Sequence, residues 1–298
     1  MFRGVATALI TPFRNGEIDL RAWEELLDRQ ARSGVSAVVV LGTTGESPTV
    51  RPSERRALIE AALGRLKGRL PVVVGTGSHD TRQSLALTEE AAALGADAAL
   101  VVTPYYNKPP QEGLREHFRA LARLGLPIIL YNVPGRTGVN LLPETVLRLA
   151  EEEEAIVGIK ESSGSLAQLE SLFRLLRPVR PEFRIYCGDD DLAFYAYALG
   201  ADGLISVLSN ILPREACALF AHMQNGYLEE ARALHLQLLP LVRALFVESN
   251  PIPVKYALSL LGVSTEEVRP PLSPASEETR RLVRSALERF SASVSKVP

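Results

Sequence analysis

Apolar residues along the chain fall into eight short runs, each followed by a stretch whose hydrophobic positions recur with helical spacing. The runs cover residues 4–11, 37–42, 71–77, 98–106, 127–133, 156–161, 184–189 and 203–210. Short apolar runs of this kind read as buried strands. Between the first two, Trp23, Leu26, Leu27 and Ala31 follow the i, i+3, i+4, i+8 pattern of one buried helix face. Ser165 and Gln168 have the spacing of a capping box that opens the helix after the sixth run. Eight strand–helix units with short connections predict parallel strands, right-handed crossovers and closure into a (β/α)₈ TIM barrel, an α/β fold. An open doubly wound sheet is the alternative, but Gly75-Thr76-Gly77 is followed by Asp80 where its fingerprint needs a third glycine. After about residue 225 the alternation stops, and helical patterns occupy residues 228–246, 253–261 and 276–290. The expected organisation is a barrel over residues 1–225 with a helical C-terminal extension over 226–298 that covers or oligomerises it.

Composition narrows the function without naming it. The chain has 298 residues, is 46% hydrophobic and 23% charged, and so has ample material for a large core. A net charge of −2 gives no basic footprint for nucleic acid or an anionic membrane. No apolar run approaches the length of a membrane span, and the short run after Met1 reads as a first strand rather than a signal peptide. Cys187 and Cys217 form no CxxC and no disulfide framework, which points to a reducing, cytoplasmic setting. Histidines 79, 117, 222 and 235 have no ligand spacing, so metal catalysis is not expected.

The sixth run carries the chemistry. It ends Gly158-Ile159-Lys160-Glu161, so a lysine closes a buried apolar strand. Of the five lysines in the sequence, Lys160 is the only one so placed. An amine in apolar surroundings loses part of its preference for the charged form, and the neutral amine attacks carbonyls to give a Schiff base. A strand-end lysine reaching into solvent is the plain alternative.

In a barrel, the C-terminal strand ends converge on one mouth, where catalysis sits. The second strand ends in Gly42-Thr43-Thr44-Gly45-Glu46-Ser47, whose hydroxyls and backbone N–H groups suit a small carboxylate or form an ordinary turn with caps. The fourth ends in Thr103-Pro104-Tyr105-Tyr106-Asn107, a tyrosine pair suited to packing or to chemistry. The fifth ends in Tyr131 through Thr137, where Tyr131 can pass a proton and Arg136 can grip a carboxylate or simply face solvent. The seventh gives Cys187-Gly188 followed by Asp189, Asp190 and Asp191, acidic residues that suit the N-terminus of the next helix better than a metal. The eighth carries Ile205 and Ser206, where a backbone carbonyl or a small pocket is the most that can be read. Together these groups suit cofactor-free carbonyl chemistry through an imine.

The blocks Gly42–Ser47, Thr103–Asn107, Tyr131–Gly138, Gly158–Glu161 and Asn250-Pro251-Ile252-Pro253-Val254-Lys255 resemble the signatures of the 4-hydroxy-tetrahydrodipicolinate (dihydrodipicolinate) synthase family. That family belongs to the pyruvate-dependent class I aldolase superfamily, and the resemblance spans essentially the whole chain. It implies a lyase that condenses pyruvate with L-aspartate 4-semialdehyde in lysine and diaminopimelate biosynthesis. It further implies that Lys160 forms the Schiff base and that Tyr131, Thr43 and Tyr106 form a proton relay. Thr44 holds the pyruvate carboxylate with Ile205 at the floor, Gly188 adds a substrate contact, and Arg136 binds the carboxylate of the semialdehyde. In the family the second tyrosine of the pair enters a neighbouring subunit, so Tyr106 implies a dimer at least, and a tetramer (a dimer of dimers) is usual. No cofactor, nucleic acid or membrane partner is implied. The competing readings are another aldolase of the superfamily, acting on a 2-keto-3-deoxy sugar acid or a sialic acid, and a non-catalytic pyruvate-binding protein. Lysine-inhibited members carry histidines after the Gly-Glu-Ser block, and an asparagine and a glutamate after strand three. This chain has Pro48, Pro52 and Arg55, then His79 and Gln83, although Tyr105 is retained, so weak or absent lysine feedback is expected.

Overall fold

All eight expected strands form one closed parallel barrel. In the computed structural model, which describes residues 1–294, they are β1 (Gly4–Ala8), β2 (Ala37–Val40), β3 (Val72–Gly75), β4 (Ala98–Val102), β5 (Ile128–Asn132), β6 (Ile156–Glu161), β7 (Arg184–Cys187) and β8 (Gly203–Ser206). Each pairs with its sequence neighbour, and β8 closes on β1. Most strands are shorter than the apolar runs that predicted them. Part of the excess is burial without pairing: Ile10, Val207 and Leu208 lie beyond their ladders and pack under C-terminal helices. An apolar run records what is buried, not what is hydrogen-bonded.

Residues pointing inward, among them Ala6, Val39, Val73, Ile129, Tyr131 and Ile205, fill the barrel as one cluster. The outward set packs against surrounding helices: α1 (Leu20–Ala31), α2 (Pro52–Leu66), α3 (Thr81–Leu94), α4 (Gln111–Ala122), α5 (Pro143–Glu152), α6 (Leu166–Leu176), α7 (Ala193–Ala198) and α8 (Pro213–Gln224). On α1, Trp23, Leu26 and Leu27 are buried as the periodicity requires, while Ala31 is only half-buried. The expected capping box at Ser165 is half made. Ser165 Oγ accepts from the Gln168 backbone at 3.2 Å, but the Gln168 side chain turns away to Glu161 and Asn140.

Helices α9 (Leu228–Ala244), α10 (Ile252–Leu260) and α11 (Glu277–Val294) follow. Their apolar faces share one cluster with Ile10, Leu26 and Ile211 of the barrel, so they cover its flank. The last residues of the expected extension, 295–298, lie outside the described residues. No helix among the described residues is long and apolar enough to cross a membrane.

Candidate active site

Strand register sets the first contact. Tyr131 on β5 pairs with Lys160 on β6, so both side chains enter the barrel at the same level. Both are 6% exposed, and the Lys160 ammonium lies 4.3 Å from the centre of the Tyr131 ring. No carboxylate among the described residues lies within ion-pair distance of Lys160. On the other side of β6, Gly188 follows directly on β7. A Cβ there would sit 2.7 Å from Lys160 Cε and nearer still to Ser162 Oγ, so only glycine leaves room for the lysine.

The loop after β2 is held from behind. Leu41 and Glu46, at its two ends, both adopt left-handed backbone conformations (φ 58° and 53°) that cost a non-glycine residue about 1 kcal/mol or more. Such strain persists only where the surroundings fix it, and here they do. Lys255 of α10 donates to Glu46 Oε1 and, at 2.6 Å, to the Glu267 carbonyl. The Arg269 backbone N–H donates to Glu46 Oε2 at 3.0 Å. Lys255 is fully buried, and burial pushes its ammonium down to about 8 against the attraction of Glu46. Asn250 donates to Thr44 Oγ1 at 2.9 Å, and its carbonyl accepts from Arg136 at 3.0 Å. The C-terminal extension therefore positions both the Thr43–Thr44 loop and Arg136. Asn250 and Lys255 stood in the sequence as part of a block without roles. Their function depends on contacts across more than 200 residues, which local pattern does not encode.

A cavity of about 510 Å³ is lined by Thr43, Tyr131, Val133, Arg136, Tyr105 and Arg55, among others. It brings together the hydroxyl, the phenol and the guanidinium expected at the mouth. Thr44, Lys160, Gly188 and Ile205 do not line it. Lys160 and Gly188 lie beside one another, Ile205 is in the barrel cluster with Tyr131, and Thr44 is buried on Asn250. Arg136 is exposed and makes no ion pair among the described residues. Tyr106 stands apart: it is 91% exposed, with φ 74°, and does not line its own chain's cavity. Arg55, also in the cavity lining, is buried, donating to Ser47 Oγ and to the Gly75 carbonyl, each at 3.0 Å.

Asp189, Asp190 and Asp191 stand at the start of the short helical segment after β7, where the sequence reading placed them, but the Asp189 side chain makes no cap hydrogen bond. Asp190 is buried and accepts from Ser206 Oγ and from the backbone of Val207 and Leu208, which fixes the turn after Ile205. Asp189 accepts from the Gly164 N–H, and burial pushes its carboxyl up to about 6. These donors belong to neighbouring strand ends that converge here, and they outcompete the local helix terminus. Glu161, next to Lys160 but on the outer face, is buried with no cation among the described residues in ion-pair distance. Asn132, the Ser163 backbone and Gln168 supply its hydrogen bonds, which lock β5 to β6 one rung beyond Tyr131 and Lys160.

Known proteins match this architecture along its length. The sequence model of the dihydrodipicolinate synthetase family matches residues 1–290. The 4-hydroxy-tetrahydrodipicolinate synthase of Kosmotoga olearia is 53% identical over 290 residues, covering 97% of this chain and 98% of that one. That of Thermotoga maritima is 50% identical, with coverage of 97% and 98%. A crystal structure of the Thermotoga maritima enzyme superposes with a TM-score of 0.96 at 49% identity, covering 98% of this chain and 99% of the other. A structure described as a monomeric dihydrodipicolinate synthase variant also gives 0.96, at 48% identity and 97% coverage of each chain. With an unpaired lysine inside a closed barrel, and with family resemblance over nearly every residue, the chain belongs to the dihydrodipicolinate synthetase family.

Proposed function

We propose that the chain condenses pyruvate with L-aspartate 4-semialdehyde to give 4-hydroxy-tetrahydrodipicolinate, with residues 1–225 as catalytic barrel and 226–298 as extension. The observation that carries this is Lys160, buried against Tyr131 with no carboxylate among the described residues to hold it as a salt bridge. Its amine attacks the keto carbon of pyruvate, water leaves, and an imine forms. Thr44 and its loop take the pyruvate carboxylate, with Ile205 at the floor and Gly188 beside the lysine. A proton leaves the imine's methyl group through Tyr131 and Thr43, and the resulting enamine attacks the aldehyde. The substrate's own amine then displaces Lys160, and the ring closes. An assay of pyruvate with aspartate semialdehyde, run beside 2-keto-3-deoxy sugar acids and sialic acid, tests this. Turnover of a sugar acid alone would overturn it.

Arg136 is the residue that distinguishes the semialdehyde from other aldehydes. Its guanidinium is aimed by the Asn250 carbonyl and is free to take a carboxylate. Arg136→Ala removes a charge-assisted contact of about 1.5–3 kcal/mol. The expected result is a fall of roughly ten- to a hundredfold in kcat/KM for aspartate semialdehyde, with imine formation from pyruvate little changed. Equal loss for both substrates would make Arg136 structural.

Tyr106 supplies the third member of the relay, reaching from one subunit into the next. A nearly fully exposed tyrosine held in a strained backbone has no use in its own chain's cavity. The working unit is then at least a dimer, with a dimer of dimers as its full assembly and the cytoplasm as its setting. Sedimentation at assay concentration should show no active monomer, and Tyr106→Phe should lower turnover while pyruvate binding persists. A fully active monomer would sink this reading.

Lysine feedback is weak or absent. Pro48, Pro52, Arg55, His79, Gln83 and Tyr105 all line the cavity, where Arg55 is a buried cation beside Glu90 and Gln83 supplies no charge for an ammonium ligand. Initial rates should be insensitive to L-lysine, and half-inhibition below about 1 mM would contradict the reading.

A further inference from the structure

Lys160 has two unlike flanks. On the β5 side stand Tyr131 and the Thr43 loop, which serve pyruvate in the reading above. On the β7 side stands Ser162, two residues beyond the lysine and on the same inward alternation. Its backbone is fixed, since the Ser162 N–H donates to the Asn132 carbonyl at 2.9 Å. Its side chain is not. Ser162 Oγ is buried and has no hydrogen-bond partner among the described residues. The space above Gly188 is where this hydroxyl and Lys160 Cε meet, because a Cβ on Gly188 would collide with both. A buried hydroxyl without a partner is unfavourable in the free protein and calls for a function. Here it lies beside the atom that carries the imine.

We propose that Ser162 is a substrate-contacting residue for the second half of the reaction, its hydroxyl donating to the aldehyde oxygen as the carbon–carbon bond forms. The enamine carbon is two bonds from Lys160 Nζ, so the aldehyde carbon that joins it, and that carbon's oxygen, come within the reach of groups packed around the lysine tip. As the new bond forms, the carbonyl π pair moves onto that oxygen, the imine is regenerated on Lys160, and the oxygen takes up one proton from the relay. A donor already in place strengthens as charge develops there and needs no reorganisation. With the pyruvate carboxylate taken by the Thr44 loop and its methyl proton by Tyr131 and Thr43, Ser162 is not needed for imine formation. It sets which aldehydes are accepted, favouring those whose oxygen points towards β7.

The inference rests on the imine reading and is tested with Ser162→Ala, which deletes one unbonded oxygen and leaves the fold intact. The variant should melt at the temperature of the parent or higher. It should form the reducible pyruvate adduct at the parental rate, and it should lose about tenfold or more in kcat/KM for aspartate semialdehyde. Ser162→Thr keeps the oxygen and should retain more of the parental value than Ser162→Ala. A change of less than about twofold in the aldehyde step, or an equal slowing of adduct formation, overturns the role of Ser162. Absence of the adduct in the parent enzyme would instead overturn the imine reading itself.

Discussion

Lys160→Arg abolishes turnover, by about 10⁴-fold or more, because a guanidinium stays protonated and cannot form the imine. The replacement also brings a larger head group into a site where Gly188 leaves only enough room for the lysine stem. In the parent, pyruvate with borohydride should attach one reduced pyruvyl group, and peptide mass should place it on Lys160. Lys255 is the other buried lysine among the described residues, but its ammonium is enclosed and bonded to Glu46 and to the Glu267 carbonyl, so no substrate reaches it. A label on Lys255, or none on either residue, would overturn the mechanism. Lys160→Arg should also keep the parental melting temperature within a few degrees, since it breaks no ion pair among the described residues. Inactivity through unfolding would therefore be recognised as such.

The barrel and its mouth were legible from local pattern, and the braces behind the mouth were not. Eight apolar runs gave eight strands because a strand buried on both faces must be apolar throughout, whatever its neighbours. Their ends were overrun at Ile10 and Val207 for the same reason: a loop packed beneath a helix is as apolar as a strand. Tyr131, Thr43 and Arg136, which share one cavity, could be read as one group because the barrel sends every strand end to one face, with Lys160 beside Tyr131. The hydrogen-bond partners of Asp190 could not be read. A carboxylate before a helix ordinarily caps it, and only the tertiary fold shows that the Val207 and Leu208 amides are better placed. Glu161 was likewise invisible as a bracket, because Asn132 and Gln168 become its donors only once β5, β6 and α6 meet. Ser162 carries no motif. Its unbonded oxygen appears only in three dimensions.

Lys255→Met destabilises the enzyme by about 3–5 kcal/mol, a fall in Tm of roughly 10 °C, and raises the KM for pyruvate. The cause is the carboxylate left behind. Glu46 is 3% exposed, and without Lys255 it retains only the Arg269 N–H. Removing both charges should therefore cost less than removing one. In Glu46→Gln/Lys255→Met the amide oxygen still accepts from Arg269, no ion is left buried, and at least about 2 kcal/mol of the loss should return. The pH dependence carries a definite sign. Burial holds Lys255 at about 8 in the fold, against 10.5 in its unperturbed state. Between those values the unfolded chain binds more protons than the folded one, so this group makes the parent more stable as pH rises through that window. The double variant lacks this dependence, and the stability difference between the two should widen in the parent's favour from about pH 8 to about pH 10.5. Since Glu46 anchors the strained loop that carries Thr43 and Thr44, the single variant should lose pyruvate affinity while Lys160 remains reactive towards borohydride-trapped pyruvate at saturation. Denaturant unfolding of the parent, both single variants and the double variant gives the coupling directly. If Lys255→Met proved as stable as the parent, or the double variant no better than Lys255→Met, the ion pair would not be what holds the loop.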